Sequence, residues 1–349
     1  MKPAVVFLQR RAHRAGAQTC LLRLLRQPAM REHHPVVVSS ERGWLTEACE
    51  REAIACLVEE FPSSRSLAGR LAGNAAFARR VARRLGRAPG IVHGNDFQEG
   101  LLTLALGRRL RARTALFLRS APMTRADFGK YRCAEANLLA AVGDELQARA
   151  RLWAPGKSVS LVYDGLEPAD FLAPKAPTTT FPAEILVIGS PLEAKGWSEA
   201  VDAFTRDPAL ARASLTFTGS QPPRLNLGGL KAKFLGRVEN FRELARGFDL
   251  AVNPSWMEGF GMAALEVLAA GVPLFSTRTG VIELAIADER WLARPRDAAE
   301  MGGKLAALAA GWPGTALDVA ACQQRIRQRF SAERSAQVLS QAYAALLAG

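Results

Sequence analysis

The feature that most narrows the folds open to this chain is an alternation of short apolar runs with longer amphipathic segments, interrupted once. Residues 4–8, 35–38, 90–93, 114–118, 138–142 and 160–162 read as strands. Between them, residues 18–26, 43–51, 67–85, 99–109 and 144–152 carry helical spacing. Alternation of this kind places a parallel sheet between layers of helices. Residues 167–183 (EPADFLAPKAPTTTFPA) then bring four prolines and three consecutive threonines with little periodicity, as a linker does. Beyond them the pattern restarts, with strands at 184–188, 214–218, 233–235, 250–253 and 273–276 and helices at 198–204, 241–246 and 262–270. The chain therefore reads as α/β, with two Rossmann-like doubly wound domains of one architecture facing across a cleft. Their expected bounds are 1–167 and 183–331, joined by a linker at 168–182. Residues 332–347 close the chain as a helix, with Val338, Leu339, Ala342, Tyr343, Leu346 and Leu347 at helical spacing.

A length of 349 residues and 49% apolar content suffice for a core in each domain. No stretch of 18 uncharged apolar residues occurs, so no membrane-spanning helix is expected. The run at 4–8 is too short for a signal-peptide core and has its arginines, Arg10 and Arg11, behind it. It is expected to be the first strand of a cytosolic protein. Five scattered cysteines (Cys20, Cys49, Cys56, Cys133, Cys322) form no C-x-x-C pair, which argues against a disulfide framework or a zinc site. The four histidines come without H-E-x-x-H or paired carboxylates, so neither a metal site nor a cofactor is expected.

The net charge of +13 is unevenly spread. Residues 1–172 hold 27 Lys and Arg against 16 Asp and Glu, a balance of +11, while residues 173–349 hold 19 against 17. A basic first half calls for an anionic partner: a membrane surface, a phosphorylated lipid or a nucleic acid. The basic segments lack interleaved aromatics, which counts against nucleic acid. Residues 65–87 set seven arginines among Leu67, Leu71, Val81 and Leu85. They suit an outer helix with its apolar face on its own sheet, and equally a helix lying on an anionic membrane.

Chemistry concentrates in residues 253–280, NPSWMEGFGMAALEVLAAGVPLFSTRTG. A strand ends at Asn253, a turn containing Glu258, Gly259, Phe260 and Gly261 follows, and a helix starts near Met262. The glycines allow close approach of a ligand, and the helix N-terminus offers N–H groups to an anion such as a diphosphate. Glu258 in the turn and Glu266 about one turn into the helix are placed to accept bonds from sugar and ribose hydroxyls. Gly271-Val272-Pro273 ends the helix and feeds the next strand.

This stretch, with E-x7-E, EGFG, AAGVP and T-x-x-G, resembles the donor site of the family 4 retaining glycosyltransferases, which have the GT-B fold. Other segments fall in the order that family shows and cover nearly the whole chain. RAGAQ at 14–18 resembles its N-terminal glycine loop, IVHGN at 91–95 a strand end, and LVYDGLEPADF at 161–171 its hinge. IGSPLEAKG at 188–196 resembles its phosphate loop, FLGRV at 234–238 its base-contacting segment, and the last helix, 332–349, one that crosses back onto the first domain. The resemblance implies that Glu258 meets the donor sugar, Glu266 the ribose and Lys195 the diphosphate, with backbone N–H groups from Phe260, Gly261 and Met262. Gly16 and Gly259, together with Ser190, Arg237 and Val238, complete the implied donor site, and His93 and Arg119 stand near the transferring sugar. His93 reads equally as a cleft residue or as a core histidine. Three positions depart from the pattern: Ser190 stands for an arginine, Arg119 for a histidine and Val281 for a glycine. Arg10, Arg14, Arg119 and Arg237 are candidates for the missing diphosphate cation.

The resemblance thus implies a metal-independent, retaining hexosyltransferase. It would take a UDP- or GDP-sugar to a glycan or lipid-linked acceptor in lipopolysaccharide or envelope polysaccharide synthesis, in the cytoplasm or on the inner face of the membrane. A sugar-nucleotide epimerase, or a weakened protein that only binds sugar nucleotides, are the alternatives. A nicotinamide oxidoreductase is disfavoured, because the first strand is followed by QRRAHRAGAQ, with no G-x-G-x-x-G.

Overall fold

The computed structural model describes residues 2–63, 66–85, 88–222 and 224–348, with backbone only at 67, 68 and 70. These residues divide into two compact units, 2–165 with 330–348, and 166–329.

In the first unit, β1 (Val5–Gln9), β2 (Val36–Ser39), β3 (Ala55–Val58), β4 (Ile91–Gly94), β5 (Arg113–Leu118), β6 (Leu138–Ala141) and β7 (Val159–Leu161) form one sheet. Its order is β3-β2-β1-β4-β5-β6-β7, and every pairing is parallel. The central strands are buried on both faces and mostly apolar, as a sheet covered on both sides requires. Helices Leu67–Arg84 and Gly100–Leu110 bury Phe77, Val81, Leu102 and Leu106 against Val6, Leu8, Val38 and Val92. The closing helix Ala332–Ala348 packs in this unit, on helix Gly16–Arg26 and on β6. Strand β3 was not read from the sequence. It is a four-residue strand, ACLV, none of whose residues is fully buried.

The second unit holds β8 (Glu184–Val187), β9 (Ser214–Phe217), β10 (Lys231–Phe234), β11 (Leu250–Asn253), β12 (Leu274–Thr277) and β13 (Leu292–Ala293). Their order is β10-β9-β8-β11-β12-β13, again all parallel. Both sheets therefore run outward from their first strand, then jump across it to their fourth, the doubly wound pattern. Ligand crevices in such sheets open at the carboxyl ends of the strands flanking that jump.

Residues 168–182, expected as a linker, lie along the second unit. The Leu172 and Lys175 N–H groups donate to the Ala269 and Gly271 carbonyls at 2.8 Å each. The Trp312 indole donates to the Thr178 carbonyl at 2.8 Å. Prolines deny the segment regular structure, but a helix end supplies partners for its backbone. Gln323, on helix Val319–Arg329, donates to Leu268 and Ala269 of the same helix end.

Candidate functional site

In the second unit the jump lies between β8 and β11, and the loops leaving these two strands meet. Gly196, at φ +65° in the loop after β8, makes this possible. A Cβ there would stand 1.9 Å from the Pro254 carbonyl oxygen in the loop after β11, so only glycine fits. The Trp256 N–H donates to the Ala194 carbonyl at 2.8 Å as a second tether. Held this way, the Lys195 Nζ lies 2.7 Å from Glu258 Oε1. Ser255 Oγ donates to the same oxygen at 2.8 Å. Thr277, at the end of β12, donates its hydroxyl to the Ser255 and Asn253 carbonyls and so fixes the turn that carries Glu258.

A third loop closes the arrangement. Gly280 has φ +62°, and a Cβ on it would fall 2.2 Å from the Phe260 oxygen and 3.1 Å from Glu258 Cβ. The Val281 N–H donates to that Phe260 oxygen at 3.0 Å. Gly261, at φ +96°, then turns the chain into helix Met262–Ala269, whose positive end lies a few residues from Glu258. Phe260 is buried, while Gly259, Gly261, Met262 and Glu266 are half-buried. Ser190 is half-buried in the loop after β8, its carbonyl accepting from the Leu192 N–H at 2.7 Å. The segment after β10 leaves the same sheet edge, with the Gly236 N–H on the Gly219 carbonyl; Arg237 is exposed there and Val238 half-buried. Lys195, Glu258, Ser190, Phe260 and Met262 thus share the loops at one end of the sheet.

In the first unit the corresponding jump lies between β1 and β4. Gly16 opens helix Gly16–Arg26 beyond β1 and is exposed, and a Cβ on it would meet nothing within 4 Å. His93 is a core side chain, and the cleft reading is corrected. It is wholly buried on β4, stacked between Phe7 (5.2 Å) and Phe117 (4.4 Å), with Nδ1 bonded to the Tyr343 hydroxyl of the closing helix. Burial, and then the Arg119 charge, hold it far below the ordinary histidine range, so it is neutral.

Arg119 is held largely by first-unit partners, while its buried Nη2 has no hydrogen-bond partner among the described residues. Its Nε donates to the Asn95 carbonyl at 2.9 Å, its guanidinium pairs with Asp164, and it lies over the Phe117 ring at 4.1 Å. Burial pulls its pKa down, but Asp164, Cys20 and Asp96 together raise it. Arg14 stacks on Trp44 and Arg10 on Phe61, both within the first unit.

The sequence reading missed Asp96, Glu99 and Asp164, which surround Arg119 and the end of β4. Asp96 accepts from Ser120 Oγ at 2.6 Å and from the Arg119 N–H at 3.1 Å. Glu99 accepts from the Asp96 N–H at 3.1 Å and from the Arg10 N–H at 3.4 Å, joining the loops after β1 and β4. Burial, reinforced by the Asp96 charge, pushes Glu99 up to about 8. Also missed were Ser255, Thr277 and Gly196; the spacing P-S-x-x-E at 254–258 was the available signal. Among the described residues no three His, Cys, Asp or Glu side chains group as a metal site would need. None of their helices is long and apolar enough to cross a membrane.

Comparison with known proteins bears on these loops. Residues 182–311 match the family described as Glycosyl transferases group 1. A search of solved structures finds Anabaena Alr3699/HepE in complex with UDP and glucose, with TM-score 0.79 and 17% identity, covering 98% of this chain and all of that one. The fold is GT-B. Sucrose-phosphate synthase from Thermosynechococcus elongatus matches at TM-score 0.77 and 17% identity over 99% of this chain and all of that one. In sequence, glycogen synthase of Mycobacterium tuberculosis is 29% identical over 225 residues, 59% of this chain. The chain spans about half the length of that relative, 51%. The matched segment, 182–311, contains both Lys195 and Glu258, together with Glu266 and the T-x-x-G loop.

Proposed function

We propose that this GT-B chain is a retaining glycosyltransferase that moves a hexosyl-type unit from a nucleoside-diphosphate sugar to a glycan or lipid-linked acceptor. The observation that carries the reading is the Lys195–Glu258 pair beside a helix N-terminus, at the strand ends where doubly wound sheets bind nucleotides. An incoming diphosphate competes with Glu258 for Lys195. Once Lys195 turns to phosphate, Glu258 is released to accept from sugar hydroxyls. The bond from the anomeric carbon to the diphosphate breaks, and the electron pair leaves on phosphate, where Lys195 and the helix N-terminus stabilise it without a metal. The acceptor oxygen bonds the same face, and its proton passes to the departing diphosphate. Glu266 holds the ribose.

UDP is the first nucleotide to try, since the HepE structures contain UDP and glucose or UDP-glucose. The basic first unit suits an anionic, lipid-linked acceptor at the inner face of a membrane, as in lipopolysaccharide or envelope polysaccharide assembly. A structure of a lipopolysaccharide outer core galactosyltransferase also shares the fold, at TM-score 0.73.

A second reading, binding without transfer, draws on Ser190, which leaves the loop after β8 without its expected cation. A thermal-shift screen of UDP- and GDP-sugars tests donor binding, since a ligand of the folded state raises Tm by mass action. Proton NMR of the product formed with a matched acceptor then tests retention. No shift with any nucleotide sugar rejects both readings; a shift without product favours the second.

A further inference from the structure

The arginine-rich helix of the first unit carries more than an outer layer. Arg80 and Arg84 are committed to Glu59, and further to the Glu60 and Val58 carbonyls. Arg65 and Arg87 lie outside the described residues. Arg79 has no acidic partner among the described residues, and it faces a groove of about 330 Å³ between helices Leu67–Arg84 and Gly100–Leu110. Leu71 and Leu101 line that groove, and Arg108, Arg109 and Arg132 join Arg79 around it. The described lining contains no Asp or Glu. Of these four arginines, Arg108 and Arg132 share the single carboxylate of Glu135, while Arg109, like Arg79, has no acidic partner among the described residues. Leu71 is 59% exposed, an aliphatic side chain that the unit itself does not bury.

We propose that this groove docks the chain on an anionic phospholipid bilayer. Arg79 and Arg109 hold a headgroup phosphate, and Leu71 and Leu101 reach the acyl layer beneath it. Charge complementarity selects an anion. The aliphatic lining then selects a lipid over other anions: a free phosphate gains nothing from it, and nucleic acid would use aromatic side chains to stack bases, which the described lining lacks. The proposal rests on the anionic-partner part of the reading above and is independent of the transfer chemistry.

Co-sedimentation of the full chain with vesicles tests it, using phosphatidylcholine alone and phosphatidylcholine mixed with phosphatidylglycerol. Binding to the mixed vesicles only is expected, weakening with added salt. Arg79→Gln with Arg109→Gln should weaken it about 30-fold, from about 1 kcal/mol for each basic residue at an anionic surface. Leu71→Ser should weaken it further. Arg80→Gln with Arg84→Gln, the same loss of charge at groups already paired, should weaken it much less. Equal binding to both vesicles, wild-type binding by the Arg79 and Arg109 variant, or equal losses in the two double variants would overturn the proposal. Displacement of the vesicles by a single-stranded oligonucleotide would overturn it in favour of nucleic acid. Nucleotide thermal shifts, measured on the same samples, report on the second unit separately: their absence counts against the donor site, and their retention in the variants shows that these remain folded.

Discussion

At Glu258 one carboxylate oxygen takes both an ammonium and a hydroxyl, while its other oxygen has no partner among the described residues. The ion pair is partly exposed, so it adds little to stability, and its importance is chemical. Glu258→Ala should therefore leave Tm nearly unchanged but lower kcat sharply, by on the order of 2–4 kcal/mol of transition-state stabilisation. Glu266→Ala should instead raise KM and weaken free-nucleotide binding. Steady-state kinetics beside calorimetric titration of UDP separates the two, and wild-type turnover in Glu258→Ala would remove it from the site. Both glutamates were legible because their meaning is local: a strand end, glycines and a helix start within one stretch. His93 and Arg119 were not. Their partners, Tyr343 and Asp164, lie 250 and 45 residues further along, and spacing alone says nothing about such pairings.

Between elements, the loops at the strand ends depend on a few close approaches. Gly196→Ala would drive a methyl into the Pro254 carbonyl at a positive φ. It should cost on the order of 2–4 kcal/mol in urea unfolding and weaken nucleotide binding together with stability. Unchanged affinity in a destabilised protein would separate this contact from the donor site. In the first unit Glu99 joins two loops while buried and raised to about 8. A carboxyl whose folded pKa exceeds its unfolded value binds more protons when folded. Its stability contribution is full below the unfolded value near 4.5 and is lost as pH rises through about 8. Melting temperature should fall between about pH 5 and 8 in the wild type, level off above that, and fall less in Glu99→Gln; equal falls would place the pH sensitivity elsewhere. Element by element, legibility followed burial contrast. Strands β1, β4, β8 and β11 are buried over all or nearly all their length and were legible, whereas partly exposed β3 and two-residue β13 were not. Helix Ala298–Ala310 (AAEMGGKLAALAA) was missed because alanine and glycine on both faces blur its helical spacing.

For the whole molecule, the repeated strand–helix pattern was enough to read two parallel sheets, while the return of the last helix to the first domain came only from the family resemblance. An amphipathic helix states only that one face needs cover. Contacts decide the matter: Tyr343 and Leu339 are wholly buried, Ser335 Oγ donates to the Tyr163 carbonyl at 2.6 Å, and Ser340 Oγ lies 2.9 Å from the His33 ring nitrogen. All of these partners belong to the first unit. The first unit is thus completed by residues that follow the entire second unit in sequence, and cutting the chain after Arg329 should damage the unit further away along it. Removing residues 330–349 uncovers the His93 stack and strips its Nδ1 of the tyrosine hydroxyl, while leaving residues 166–329 intact. Hydrogen exchange should then show protection lost in β1–β7 and kept in β8–β13, with nucleotide binding by the second unit preserved. The milder Tyr343→Phe keeps the packing and deletes only the hydroxyl, so it should cost about 1–3 kcal/mol for the unpaired buried nitrogen. Loss of protection in both sheets of the truncated chain would mean that the two units fold as one cooperative body, and equal protection in both would mean that the closing helix is dispensable to the first.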